Sequence, residues 1–140
     1  DTKNNKRIDY TKVKEMFAAL TEFGWNPIFE KDNIIGLNKG GKNITLEPGN
    51  QIELSGDKLN HMHEACAESQ NYLFELKQVT KKLDIKIVSA GFDPISKLED
   101  IPNNPKQRYE LMTKDMPLGG ELSLDMMYKT CGKQLNIDYK

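Results

Sequence analysis

The sequence predicts an α+β fold, a mainly antiparallel sheet with helices on one face. Three observations carry that expectation. Short alternating segments between residues 34 and 54 are joined by tight Gly- and Pro-containing turns, which suit antiparallel strands. Helical apolar spacing appears before this region, at Val13, Met16, Phe17 and Leu20, and again after it. Helices and strands come in runs rather than in strict alternation, which separates this pattern from a parallel α/β sheet.

The elements follow in order. Asp9 or Thr11 is placed to cap the first helix and Gly24 to close it. "WNPIF" reads as a short extended piece, weakened by Pro27. Strands are expected over 34–38 and 43–47 about a Gly40-Gly41 turn, and over 43–47 and 51–54 about Pro48-Gly49-Asn50. A long helix is expected over about 58–83, with Leu59, Met62, Cys66, Ser69, Leu73, Leu76, Thr80 and Leu83 as one packing stripe. "IKIVSAGF", 85–92, is apolar on both faces and reads as a buried strand. The Pro-containing stretch 93–106 reads as a loop, "QRYELMTKDM" as a helix stopped by Pro117, and the chain from Leu124 onward as mostly strand.

Bulk properties bound the function. The 140 residues suit a single domain or a fragment of a larger one, and 37% hydrophobic content gives a modest core that further chain or a partner would complete. A net charge of −1 supplies no basic field for nucleic acid or a membrane surface, and no apolar run is long enough to span a bilayer. Two cysteines, Cys66 and Cys131, are too few for a disulfide scaffold and lack zinc-site spacing. Reduced thiols in a cytoplasmic protein are expected, with Cys66 in the core; a single bridge stays open.

Candidate chemistry centres on "ITLEPGNQIELSG". If Glu47 faces Gln51 across the turn, Thr45 faces Glu53. Those four then share one face, with Ile44, Leu46, Ile52 and Leu54 on the other. Two carboxylates brought together repel unless a proton, water or cation screens them, and carboxylate oxygens suit Mg²⁺. A solvated polar face satisfies the same pattern. In "QLNIDY", Gln134, Asn136 and Asp138 share one face, with Leu135, Ile137 and Tyr139 on the other. Lys106 and Arg108 flank the proline loop and suit a carboxylate or phosphate, or simply surface charge. His61 and His63 point in different directions on a helix, which disfavours a shared metal. "GLNKGGKN" lacks the spacing of a phosphate-binding loop.

Taken in order, "ITLEPGNQIELSG", "HEACAE", "GFDP", "EDIPNNPKQRYELM", "MP", "LDMM" and "TCGKQLNIDY" resemble glutamate–cysteine ligase of the plant and proteobacterial type, from about residue 10 to the chain's end. The resemblance implies a glutamine-synthetase-like fold, a curved antiparallel sheet forming a funnel, of which this chain would be a part. It implies joining the γ-carboxylate of glutamate to the amine of cysteine with ATP and Mg²⁺, the first step of glutathione biosynthesis. Small-molecule partners (glutamate, cysteine and ATP) follow, with an oligomer possible.

Carried over by position, Glu53 and Glu47 match metal-ligand acids, and Gln134 and Asn136 match strand positions facing nucleotide and metal. Arg108, Tyr109, Met127 and Thr130 match positions near the amino-acid substrate. Asn50, Lys129 and Gly132 depart from the family's usual glycine, arginine and threonine. The family's upstream Glu-x-Glu strand motif and its long downstream portion are not among these residues, so an internal fragment without ligase activity of its own is expected. Two alternatives stay open: a related carboxylate–amine ligase with another acceptor, and a non-catalytic binding or oligomerisation module.

Overall fold

The computed structural model describes residues 1–3 and 5–138, so Tyr139 of the alternating C-terminal segment lies outside the described residues. Helix α1 spans Tyr10–Leu20, and its N-terminus is capped by Asp9, whose Oδ1 accepts from the Lys12 amide at 2.9 Å. A single 3₁₀ turn continues it, and Gly24, at φ +83°, receives the chain in the left-handed region.

Strands β1 (Asn26–Glu30), β2 (Asn33–Lys39), β3 (Lys42–Glu47) and β4 (Gln51–Ser55) form one antiparallel meander in chain order. Pro27 is tolerated because β1 is an edge strand. The β3–β4 register pairs Glu47 with Gln51 and Thr45 with Glu53, as predicted. Ile44 and Leu46 are buried on the opposite face, with Ile52 and Leu54 packed beside them.

That apolar face meets α1 through Val13, Met16, Phe17 and Leu20, and meets helix α2 (Met62–Lys82) through Leu76 and Val79. A second small cluster joins Ile101 to Tyr109 of helix α3 (Gln107–Asp115) and to Met127 and Tyr128 of helix α4 (Ser123–Lys129). The architecture is α+β with an open four-stranded antiparallel sheet, compatible with part of a glutamine-synthetase-like fold.

Four expectations are corrected. Helix α2 begins at residue 62, because His61 takes the N-cap position and the Glu64 carboxylate accepts from the Asn60 amide at 2.7 Å. Its packing stripe is Tyr72, Leu76, Val79 and Leu83; Met62 and Leu73 face outward, and Cys66 is exposed rather than core. Residues 85–92 form no strand, and beyond Ile85 they are exposed. Residues 123–129 are helical, held by the Asp125–Lys129 pair at 3.3 Å one turn apart and by burial of Met127 and Tyr128. Residues 131–138 belong to no strand and are exposed.

Candidate functional site

The turn Pro48–Asn50 aims the polar face of the hairpin. Gly49 and Asn50 both adopt left-handed backbone, at φ +64° and +58°. A Cβ on Gly49 would sit 2.5 Å from the Arg7 guanidinium, so position 49 requires glycine for space as well as for conformation. Asparagine tolerates this region better than most residues, which accommodates Asn50 where the family pattern has glycine. The Asn50 side-chain amide donates to Ile8 O at 2.9 Å, while its Oδ1 is buried without a partner among the described residues.

Arg7 fastens the turn. Its guanidinium donates to Gly49 O (3.2 Å), to Tyr128 O (2.8 Å) and to the Asp93 carboxylate (2.9 Å). Asp93 also accepts from the amides of Ile95 and Ser96. Partial burial opposes its ionisation, but these donors and Arg7 hold its carboxyl well below the usual carboxylate range. Sequence reasoning missed this clamp. The one signal was Asp93 before Pro94 in "GFDP", a turn-forming pair whose carboxylate bonds amides two and three residues on.

At the other end of the turn, Glu47 is enclosed by α3. The Tyr109 hydroxyl donates to Glu47 Oε2 at 2.5 Å and accepts from Arg108 Nη2 at 2.5 Å. Lys106 Nζ lies 3.7 Å from Glu47 Oε1, and Arg108 Nη2 lies 3.5 Å from Oε2. Lys106 is only 8% exposed; burial pushes its ammonium down and the Glu47 charge partly restores it. Burial pushes the Tyr109 hydroxyl up to about 12, a shift that Arg108 opposes and Glu47 reinforces. Asn104 closes the ring, donating to Glu47 O at 2.9 Å and accepting from the Lys106 amide at 3.1 Å. Glu30 of β1 accepts from the Gln107 amide at the start of α3. Lys106 and Arg108 therefore do meet a carboxylate, and it is the protein's own.

Glu53 is different. It shares the face of Glu47, one diagonal step across the ladder, yet it is exposed and has no hydrogen bond or ion pair among the described residues. Mg²⁺ is commonly held by one or two carboxylates with phosphates and water completing its shell. Glu53 fits that role openly; Glu47 fits it with one oxygen already bonded to Tyr109. No group of three or more His, Cys, Asp and Glu side chains among the described residues is placed to hold a metal ion.

The remaining candidates are not gathered here. Gln134 and Asn136 are exposed, and Gln134 donates to Asn136 at 3.0 Å. Met127 packs inside the second apolar cluster, and the Thr130 hydroxyl donates to Met126 O at the end of α4. A pocket of about 370 Å³ lies beside Lys106, Tyr109, Thr113 and Tyr128, behind the Glu47 cluster. Among the described residues no helix is long and apolar enough to cross a membrane.

An open four-stranded antiparallel sheet that packs α1 and α2 on its apolar face and carries Glu47 and Glu53 on the other is compatible with part of a glutamine-synthetase-like fold. Residues 3–140 match the model of Glutamate-cysteine ligase family 2 (GCS2), and the chain belongs to that family. It is 44% identical over 133 residues to "Glutamate--cysteine ligase, chloroplastic" of Medicago truncatula, covering 94% of this chain and 26% of the relative. Identity and coverage are the same for the Nicotiana tabacum protein of that name. "Glutamate--cysteine ligase A, chloroplastic" of Oryza sativa subsp. japonica is also 44% identical, with 27% of its length covered. The chain thus spans about a quarter of the length of the relatives it matches. Their names place these enzymes in chloroplasts, which overturns the expectation of a cytoplasmic protein. A low cysteine count reports on redox conditions and not on an organelle address.

Proposed function

We propose that this chain forms one wall of the active site of a glutamate–cysteine ligase, in which Glu53, seconded by Glu47, carries the magnesium that accompanies ATP. The observation that carries the reading is the exposed Glu53 carboxylate, without a partner among the described residues and on the same sheet face as Glu47, in a chain of this family. In the reaction, ATP passes its γ-phosphoryl group to the γ-carboxylate of glutamate and leaves as ADP. The cysteine amine then attacks the activated carbonyl carbon and phosphate departs, giving γ-glutamylcysteine on the way to glutathione. Magnesium supplies charge neutralisation for the phosphates, and the wall's task is to hold acids where that charge collects.

Arg108 is the substrate-side residue this reading favours most. Its side chain is 62% exposed although it touches Glu47, so its guanidinium remains open to an amino-acid carboxylate. Tyr109 then serves the site through Glu47. Gln134 and Asn136 are assigned to the nucleotide side, and Met127 and Thr130 to the amino-acid substrate, on the family resemblance.

The test uses the complete protein that carries this chain. Glu53→Gln is expected to lower γ-glutamylcysteine formation by about 10²-fold or more, with an unchanged circular-dichroism melt. A normal rate removes Glu53 from the mechanism.

A further inference from the structure

Two segments that read as strands in the sequence are unpaired along most of their length, yet they touch at one point in antiparallel register. Phe92 and Thr130 form an isolated bridge. The Asp93 amide donates to Lys129 O at 2.9 Å, and the Cys131 amide donates to Gly91 O at 3.1 Å. This junction is fixed from outside: Asp93 is held by Arg7, and Lys129 lies over the Phe92 ring at 4.8 Å. Away from it the chain runs back through 91–85 and onward through 131–138, two unpaired pieces on the same side of the bridge, where Val88 is 70% exposed, Leu135 75% and Ile137 76%.

We infer that these segments are a strap poised to close, zipping from the Phe92–Thr130 bridge into an antiparallel ladder in the register the bridge dictates. Continuing that register sets Ala90 opposite Gly132, Val88 opposite Gln134 and Ile87 opposite Leu135, with Ile85 opposite Ile137 at the far end. Ile87, Leu135 and Ile137 then share a face with Ile85, which is already buried. Gln134 and Asn136 take the opposite face, consistent with the bond between their side chains, since residues two apart on a strand point the same way. The Ile85 amide already donates to Thr80 O, so the ladder stops there and α2 anchors its far end. Closing would bury apolar groups that are otherwise wet and would turn two loose amides into a ranked row. A one-residue slip would instead turn Leu135 and Ile137 to the wrong side, which is why the bridge register matters. The inference rests on the bridge and stands whether or not the ligase reading does.

Disulfide trapping in the chain itself tests the register, in a Cys66→Ser, Cys131→Ser background. Val88 and Gln134 form a non-hydrogen-bonded pair on this register, whose spacing of about 4.5 Å suits a disulfide. Val88→Cys with Gln134→Cys should oxidise about tenfold or more faster than the offset pair Val88→Cys with Leu135→Cys, whose side chains point to opposite faces. Equal rates, or faster trapping of the offset pair, overturn the register. Amide exchange on the unmodified chain provides a second measurement independent of folding in the variants. Slow exchange is expected at Ile87, Ser89, Lys133 and Leu135 and fast exchange at Val88, Gln134 and Asn136. Uniform fast exchange across both segments overturns the pairing.

Discussion

Single side chains in this protein divide between two acids with opposite surroundings. Glu47 accepts from Tyr109 and lies beside Lys106 and Arg108, whereas the Glu53 carboxylate has no hydrogen-bond or ion-pair partner among the described residues. Tyr109→Phe should therefore cost about 1.5–3 kcal/mol in urea unfolding, the worth of a hydrogen bond to a charged group, while Glu53→Gln leaves stability within about 0.5 kcal/mol. Equal losses would mean that Glu47 is not held as described. Asp93 yields a pH signature. Its folded-state pKa is depressed, so its contribution is fully present above the ordinary carboxylate pKa near 4 and is lost as pH falls toward the lower folded value. Asp93→Asn should lower the melting temperature at pH 7, and the gap from wild type should narrow as pH drops below about 4. A gap that stays constant down to pH 3 would assign the loss to shape and not to charge. The acids were legible because strand parity alone places Glu47 and Glu53 on one face. The Arg7–Asp93 clamp was not, because its residues lie 86 positions apart and neither carries a periodic signal.

At the level of elements, the hairpins were legible and the long helix was misread in detail. Tight turns between alternating strands fix both pairing and register locally, so β2, β3 and β4 were found within a residue or two. On α2, steps of three and four fit two neighbouring stripes, and contact with α1 and the sheet chose the one through Leu76 and Val79. A pair of truncations reads this out. Leu76→Ala should destabilise the chain by about 2–4 kcal/mol, whereas Leu73→Ala, 57% exposed in the native chain, should fall within about 0.5 kcal/mol. Similar losses at both sites would mean that the helix is rotated from the position described. The segments 85–92 and 131–138 carry strand-like sequence without a ladder, since propensity proposes a strand but only a partner edge supplies its hydrogen bonds. α4 shows the converse: Leu, Met and Tyr pack as well on a helix as on a strand, and the Asp125–Lys129 spacing favours the helix.

Across the whole molecule, the modest apolar content foreseen from composition appears as two separate clusters, a main core under the sheet and a smaller one around Ile101. Large apolar residues such as Ile95, Leu118 and Leu122 remain outside both. Among the described residues, the acids of the sheet do not by themselves gather into a group placed to hold a metal ion. With Mg-ATP, glutamate and cysteine, these 140 residues alone should release no ADP above background; clear turnover would show that the wall suffices.

The Arg7 clamp also bears on the order in which the molecule takes shape. Its partners lie 42, 86 and 121 residues downstream. A chain emerging from the ribosome can pair β1 to β4 once residue 55 is free, because that meander needs only neighbours. Arg7 must wait for residue 128, so the turn that aims Glu47 and Glu53 is formed early and locked late. During synthesis the two acids would stand on an incompletely fastened turn until Asp93 and Tyr128 have both emerged, so the site's geometry would be completed well after the strands that carry it.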